Sequence, residues 1–352
     1  MRTIYSDQHR LHVSPGEFGF GEFVPAFEKP ERAEIILGRV CEVGLGAVEP
    51  PNPFPLDHVT RVHAPSLVSF LRTAHAEWAE LRRPGAAYPI AWAGGGMRRD
   101  RTGGSVDTKL ARYCIDAATP ITATTWLAAL SSANCALTAA ALIVKGEPAA
   151  FALCRPPGHH AGIDHYGGYC FLNNAAIAAQ YLRDCGLRRV AIMDIDYHHG
   201  NGTQNIFYSR GDVYFASIHA DPDFDYPFLL GYADENGVGA GEGANLNLPL
   251  PEGTAWSQWS AALDHALASI RRFAADAVVV SLGVDTYKGD PISRFRLDSE
   301  HYLRVGEKLA SLRLPTVFVM EGGYAIAEIG IHAVNVLQGF EQAGLSAPRA
   351  SA

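Results

Sequence analysis

The sequence contains no C-x-x-C pair, although it holds six cysteines (Cys41, Cys114, Cys135, Cys154, Cys170 and Cys185). That absence excludes zinc knuckles and thioredoxin-type redox motifs, and leaves reduced, mostly buried thiols as the expectation. Positive charge is also scarce: 29 Lys and Arg stand against 37 Asp and Glu, for a net charge of −8. A nucleic-acid surface needs clustered cations, so nucleic acid is not expected as a partner. The longest apolar run, residues 139–144 with their neighbours, falls far short of the ~18 residues of a membrane span, so no membrane partner is expected. The N-terminal MRTIYSDQHR has no apolar h-region, so no secretory signal is read there and a cytoplasmic location is expected. No repeat or low-complexity tract stands out. What is present, 48% apolar and 19% charged residues over 352 positions, suits a compact chain with an ample core.

Six short, β-branched-rich runs read as buried strands: 3–5, 149–154, 190–196, 213–218, 277–282 and 315–320. Helical patterns lie among them at 30–43, 66–81, 122–145, 174–185, 255–273, 299–312 and 328–340. Such alternation predicts a single α/β domain over 1–345, with a mostly parallel central β-sheet flanked by helices on both faces. Two irregular stretches, at about 12–29 and 83–107, read as loop insertions that cover a substrate site or form a subunit contact. Flexible surface is the competing reading for the second. Residues 346–352 are expected to form a flexible tail.

The residues just beyond the strands are more informative than the strands themselves. Residues 151–154 run into Arg155-Pro-Pro-Gly-His159-His160, and 190–193 into Asp194-Ile-Asp196-Tyr-His198-His199. Residues 213–216 run into Ser217-Ile-His219, 278–283 into Val284-Asp285, and 317–320 into Glu321-Gly-Gly-Tyr324. Ligands of open parallel sheets bind beyond the carboxyl ends of the strands, so polar residues gathered at several such ends point to one site. In an extended segment residues 194, 196 and 198 share a face. Asp196 and His198 can therefore reach one metal ion, and Asp285 is the best candidate for a third ligand. A capping Asp or a satisfied His explains any one of these residues. It does not explain the adjacent set, which would repel or stay desolvated without a cation.

His159 and His160, behind Pro-Pro-Gly, suit proton transfer near neutral pH; metal binding by the pair is the competing idea. The glycines before Tyr324 let the backbone pass close to a ligand, and its hydroxyl can donate to a developing oxyanion. The constellation reads as metal-assisted hydrolysis.

The segments RPPGHHAG, GGYCFLNNAAIAA, DIDYHHGNGTQ, SLGVDT and EGGY resemble the histone deacetylase superfamily in order and spacing, from about residue 1 to 340. VPAFEKPERAE, YPFLLGY and DPIS resemble its bacterial acetylpolyamine amidohydrolase branch. The resemblance implies an arginase-like α/β fold. It also implies zinc-dependent removal of acetyl groups from small acetylated amines: acetylpolyamines, or diamines such as acetylputrescine and acetylcadaverine.

By that resemblance Asp196, His198 and Asp285 would bind one zinc ion per chain, for which ferrous iron could substitute. His160 would act as general base and then general acid, His159 as its electrostatic partner, and Tyr324 would polarise the amide carbonyl. Asp194 would orient His159 and join Ser217 around a structural potassium ion. Tyr169, Tyr226, Gly168 and Gly323 would belong to the substrate tunnel. Many members support the other tandem His with a second Asp; here Asn201 stands in its place, which implies a less basic His160. Gly200 and Tyr287 occupy the positions of the further carboxylates of two-metal arginases, which implies a single metal. The 83–107 loop resembles the insertion this branch uses for homodimer contacts.

Glu17, Asp107 and Asp116 lie in or beside the irregular loops and are candidates for receiving a substrate's free ammonium, with solvated surface charge as the competing reading. Ala118 stands where another acid is expected. An acetyl-lysine protein deacetylase of the same chemistry is the alternative function. A catalytically silent acyl-amine binding module is a further one, but such a module has no need of the Tyr324 hydroxyl.

Overall fold

The computed structural model describes residues 1–346 except Phe20 and Thr102. Ten strands form among them: β1 (Arg2–Ile4), β2 (Glu17–Gly19), β3 (Glu22–Val24), β4 (Val48–Glu49), β5 (Ala149–Ala152), β6 (Val190–Asp194), β7 (Val213–Ala220), β8 (Asn245–Leu250), β9 (Ala277–Leu282) and β10 (Thr316–Met320). Eight of them make one sheet in the order β4-β1-β5-β10-β9-β6-β7-β8. Every neighbouring pair in that sheet is parallel. The other two, β2 and β3, form a small antiparallel hairpin inside the 12–29 stretch, which the sequence reads only as a loop.

Successive residues of the central strands are apolar because both faces are covered. Helices α1 (Glu31–Glu42), α2 (Asp57–Thr60), α3 (Pro65–Glu80), α4 (Val106–Tyr113), α5 (Thr125–Val144), α6 (Asn174–Asp184) and α7 (Asn201–Phe207) precede β7 in the chain. Helices α8 (Trp256–Phe273), α9 (His301–Ala310) and α10 (Ile329–Ser346) follow it. Val190 and Ile192 of β6 face a core built with α3, α4, α5 and α6. Ala191 and Met193 face the opposite core, built with α1, α8, α9 and α10. This alternation of cores along one strand is the signature of a sheet buried on both sides. Helix α10 runs through Ser346; the remainder of the expected tail lies outside the described residues.

Helix α5 corrects the apolar-run reading. By length and composition it could cross a membrane, with a mean hydropathy of 1.8 over its most apolar window, but 72% of that window is buried within the fold. Ser131, Ser132, Asn134 and Thr138 interrupt its apolar residues, so no long run shows in the sequence. The sequence reading also misses β8, one of the two edge strands: Asn245 and Asn247 are its only buried residues, and its alternating Leu246, Leu248 and Leu250 are only partly buried against the core.

Because all the main-sheet strands run the same way, their carboxyl ends share one edge. There the register sets Asp194 of β6 between Ser217 of β7 and Ser281 of β9. The polar residues that follow β5, β6, β9 and β10 are thereby brought together.

Candidate active site

Asp196, His198 and Asp285 each present one ligand atom, and all three atoms lie within 4.8 Å of one another. His198 Nδ1 faces Asp196 Oδ1 at 3.3 Å and Asp285 Oδ2 at 3.1 Å. Backbone N–H groups hold the outer lone pairs: His198 donates to Asp196 Oδ1 at 2.9 Å, Tyr197 to Asp285 Oδ1 at 2.8 Å, and Gly322 to Asp196 Oδ2 at 2.8 Å. Gly322 has no substitute here, because a Cβ would run into Asp285 Oδ2 and Asp196 Oδ2. Burial, reinforced by the Asp196 charge, pushes the Asp285 carboxyl up to about 7. Two buried carboxylates and one imidazole, converging with oxygen and nitrogen donors, fit a divalent cation of the zinc type.

The tandem histidines differ sharply. His159 Nδ1 donates to Asp194 Oδ2 at 3.0 Å, and Nε2 stands 3.8 Å from Asp196 Oδ1. Burial opposes its charge, but the Asp196 and Asp194 carboxylates outweigh that and raise it to about 10, so it is an imidazolium at neutral pH. His160 Nδ1 faces Asn201 Oδ1 at 2.6 Å. Burial, then the charges of His159 and His198, hold it well below the ordinary histidine value. Asn201 Oδ1 can only accept, so His160 carries its proton on Nδ1 and leaves Nε2 free.

A pocket of about 520 Å³ opens onto His160, His198 and Tyr324, with Tyr169 and Tyr226 among its walls. Gly168 and Tyr169 both take left-handed conformations (φ +56° and +66°), and a Cβ at Gly168 would strike the His160 ring. The Tyr226 ring packs edge-on to His160 with centroids 4.9 Å apart. Gly323 does not line the pocket; it belongs to the turn that carries Tyr324, where Arg32 Nε holds its carbonyl. Burial keeps the Tyr324 phenol well above its usual range and therefore protonated. Asp194 and Ser217 are both fully buried, but the Ser217 hydroxyl is engaged by His219 Nδ1 at 2.8 Å.

The three acids read as ammonium receivers separate. Glu17 and Asp116 line the pocket, but each braces a wall tyrosine. Tyr169 donates to Glu17 Oε1 at 3.0 Å, and Tyr226 to Asp116 Oδ2 at 2.9 Å. Asp116 also accepts from Ala118 N, Thr119 Oγ1 and Gly168 N, which leaves it little capacity for a ligand. Asp107 does not join them: it sits in the first turn of α4, paired through both oxygens with Arg83.

The sequence reading places Glu321 and Arg155 at strand ends without a role, and does not single out Glu28 and Arg32. Glu321 Oε2 accepts the N–H groups of Gly158 at 2.6 Å and His159 at 3.1 Å, fixing the histidine turn. Glu28, buried, accepts from Arg32 Nη1 at 2.9 Å and Arg155 Nε at 2.8 Å. Arg32 in turn donates to the carbonyls of Gly323 and Glu321 at 2.6 and 2.5 Å. The i,i+4 spacing of Glu28 and Arg32 was the available signal, but that spacing usually marks an exposed helix pair.

A parallel sheet with an Asp-His-Asp cluster, paired histidines and a tyrosine at its carboxyl edge defines a metal-site hydrolase class. The chain belongs to the histone deacetylase family: the histone deacetylase domain model matches residues 26–340. It is 56% identical over 341 residues to acetylpolyamine amidohydrolase 2 of Pseudomonas aeruginosa, covering 97% of this chain and 99% of that one. It is 48% identical to the acetylpolyamine amidohydrolase of Mycoplana ramosa over 341 residues, 96% of this chain and 99% of the relative. The crystal structure of the acetylpolyamine aminohydrolase from Burkholderia pseudomallei superposes with a TM-score of 0.93 at 41% identity, covering 97% of this chain and 99% of that one.

The Asn201 contact yields a directional prediction. An Asp at 201 would set a carboxylate against His160 Nδ1 and raise the pKa of that ring. A base must be neutral to act, so in Asn201→Asp the acidic limb of kcat/KM against pH should move to higher pH. An unmoved limb would mean that residue 201 does not set the basicity of the catalytic base.

Proposed function

We propose that the protein is an amide hydrolase that removes acetyl groups from small acetylated amines, either acetylpolyamines or diamines such as acetylputrescine and acetylcadaverine. The observation that carries this reading is the meeting of His160, His198 and Tyr324 in one aromatic-walled pocket. The near-full-length likeness to proteins named for acetylpolyamine hydrolysis supports the substrate class.

Asp196, His198 and Asp285 would hold one divalent ion, zinc in this family's manner, with ferrous iron as the alternative. When bound, the ion supplies Lewis acidity, acidifying a water and polarising the substrate carbonyl. His160, neutral and with Nε2 free, takes the proton of the attacking water and later delivers it to the leaving amine. His159, held as an imidazolium by Asp194 and Asp196, contributes positive charge beside the reacting group. Tyr324 donates its hydroxyl proton in a hydrogen bond to the carbonyl oxygen as negative charge develops there. Tyr169 and Tyr226 confine the substrate to an extended acyl-amine. Asp194, Ser217 and neighbouring carbonyls would hold a structural potassium ion.

With metal-loaded protein, kcat/KM should be higher for acetylputrescine and acetylcadaverine than for an acetyl-lysine peptide. A preference for the peptide would move the reading to a protein deacetylase.

Glu17 is the pocket acid best placed for a free ammonium. Burial pushes its carboxyl up to about 7, against the opposing effect of the Tyr169 hydrogen bond. Its charge therefore appears as pH rises through about 7. KM for acetylputrescine should fall over that interval, and Glu17→Gln should abolish the fall. Persistence of the fall in Glu17→Gln would exclude Glu17 as the ammonium's partner.

The 83–107 stretch exposes Ile90 at 77% and Met97 at 62%, with Trp92 also exposed, and supports a homodimer contact. The intact protein should sediment as a dimer, and shortening this loop should give a monomer with relaxed selectivity. A monomeric intact protein would remove the dimer reading.

A further inference from the structure

We propose that Asp290 is a positioning residue for Tyr324, acting through the backbone of the turn that carries it. The inference rests on the reading of the Tyr324 hydroxyl as the donor to the substrate carbonyl. Tyr324 follows two glycines, so its turn has little stiffness of its own. Side chains from two distant parts of the chain hold it instead. On the carbonyl side, Arg32 reaches Gly323 O and Glu321 O, and its guanidinium lies 4.8 Å from the Tyr324 ring centroid. On the amide side, Asp290 Oδ2 accepts the N–H of Tyr324 at 2.7 Å and that of Ala325 at 3.2 Å.

The other oxygen of Asp290 accepts the N–H of Ile292 at 3.1 Å, and Ile292 lines the pocket. One carboxylate thus joins the loop after Asp285 to the turn that presents the hydroxyl. Asp290 is 6% exposed, is not part of the Asp-His-Asp cluster, and takes no part in the proton transfers of hydrolysis. Burying such a group is costly unless its lone pairs are used, and here three N–H groups use them. An asparagine cannot reproduce this, because its amide NH₂ would face at least one of those donors. In either orientation of that amide the bridge between the Ile292 loop and the Tyr324 turn is broken, and the hydroxyl would lose registration with the carbonyl oxygen. A misplacement of about 1 Å is enough to cost on the order of 100-fold in rate.

The test is a double-mutant cycle on the metal-loaded protein with Asp290→Asn, Tyr324→Phe and their combination. It reads kcat and KM for acetylputrescine together with bound metal. Asp290→Asn should lower kcat about 10- to 100-fold, with KM and metal content within about twofold of the parent. In the Tyr324→Phe background the same change should lower kcat by less than about twofold, because the group it positions is gone. Equal losses in both backgrounds would overturn the proposal and make Asp290 a general support of the pocket. Unchanged kcat in Asp290→Asn, beside a large loss in Tyr324→Phe, would overturn the positioning role while leaving the tyrosine's role intact. Full turnover in Tyr324→Phe would overturn the reading of the tyrosine and this proposal with it. Asp290→Ser, which keeps an acceptor oxygen, is the second variant. Failure of both Asp290 variants to fold would assign the residue to folding alone and overturn the proposal.

Discussion

Negative charge buried at one edge of a parallel sheet is the constraint around which the rest of the molecule is arranged. Asp194, Asp196, Asp285 and Glu321 are all fully buried, and they lie at or just beyond the ends of three adjacent strands, β6, β9 and β10. A lone carboxylate in such a place takes up a proton rather than keep its charge. Burial raises Asp194, Asp285 and Glu321, the last two to about 7 and about 8, whereas Asp196 is held low. Asp196 feels the same burial, but the charge of His159 and the contacts with His198 outweigh it and hold it well below the carboxylate range. The edge therefore calls for cations, and the chain supplies one as the His159 imidazolium. The Asp-His-Asp cluster is shaped to recruit another. On the proposed function, the charges of Asp196 and Asp285 that are costly to bury would also be the ones that hold the metal ion.

The second layer of organisation is a buried ion network that starts in the N-terminal segment. Glu28 lies between Arg32 and Arg155, with exposures of 1–2% for all three side chains. Pairs of this kind add little net stability, because desolvation offsets the attraction, but removing one member strands a buried charge at a cost of about 3–5 kcal/mol. What the network provides is connection. Arg155 opens the turn that carries His159 and His160, and reaches the carbonyls of His9 and His12. Arg32 holds the turn that carries Tyr324. One carboxylate therefore couples the placement of His159 and His160 to that of Tyr324. The 12–29 stretch is thus more than a cover for the pocket; the segment beside it is a structural member of the site.

These physical roles explain what was legible in the sequence. The central strands were readable because two-sided burial leaves continuous apolar runs, and all the expected runs match observed strands to within about two residues at each end. The metal cluster and the histidine pair were readable because a parallel sheet sends every strand end to one edge, so position alone carries information. Strand β8 was not, because its Leu246, Leu248 and Leu250 alternate with polar residues and proline instead of forming the continuous apolar run of a strand buried on both faces. Helices α4 and α7 are short, and α7 carries Asn201, Thr203 and Gln204 buried among other polar groups rather than an apolar stripe. Asp116 makes local bonds to Ala118 and Thr119, but the pocket-wall partners it braces, Gly168 and Tyr226, lie 52 and 110 residues away. No local pattern distinguishes such a brace from a surface acid, and the same holds for Asp107 with Arg83.

At the pocket mouth, shape and charge cannot be separated, because the acids that could attract an ammonium also hold the tyrosines that set the width. Asp116 is saturated by backbone and hydroxyl donors, so its part is geometric. Asp225 accepts from Tyr197 Oη at 2.5 Å and from the Tyr226 amide at 2.8 Å, and is likewise committed. Glu17, which also lines the pocket, differs in that Oε2 has only a 3.4 Å contact with Phe27 N, which leaves acceptor capacity on that oxygen. Arg294 brings a positive charge to the same wall, partly offset by Asp225 at 3.9 Å and Glu252 at 3.3 Å. The pocket is therefore walled by aromatic rings, with Glu17 as its least committed carboxylate. On the proposed function, selection in such a pocket would fall first on whether the chain can enter extended between Tyr169 and Tyr226, and only then on the charge it would carry to Glu17.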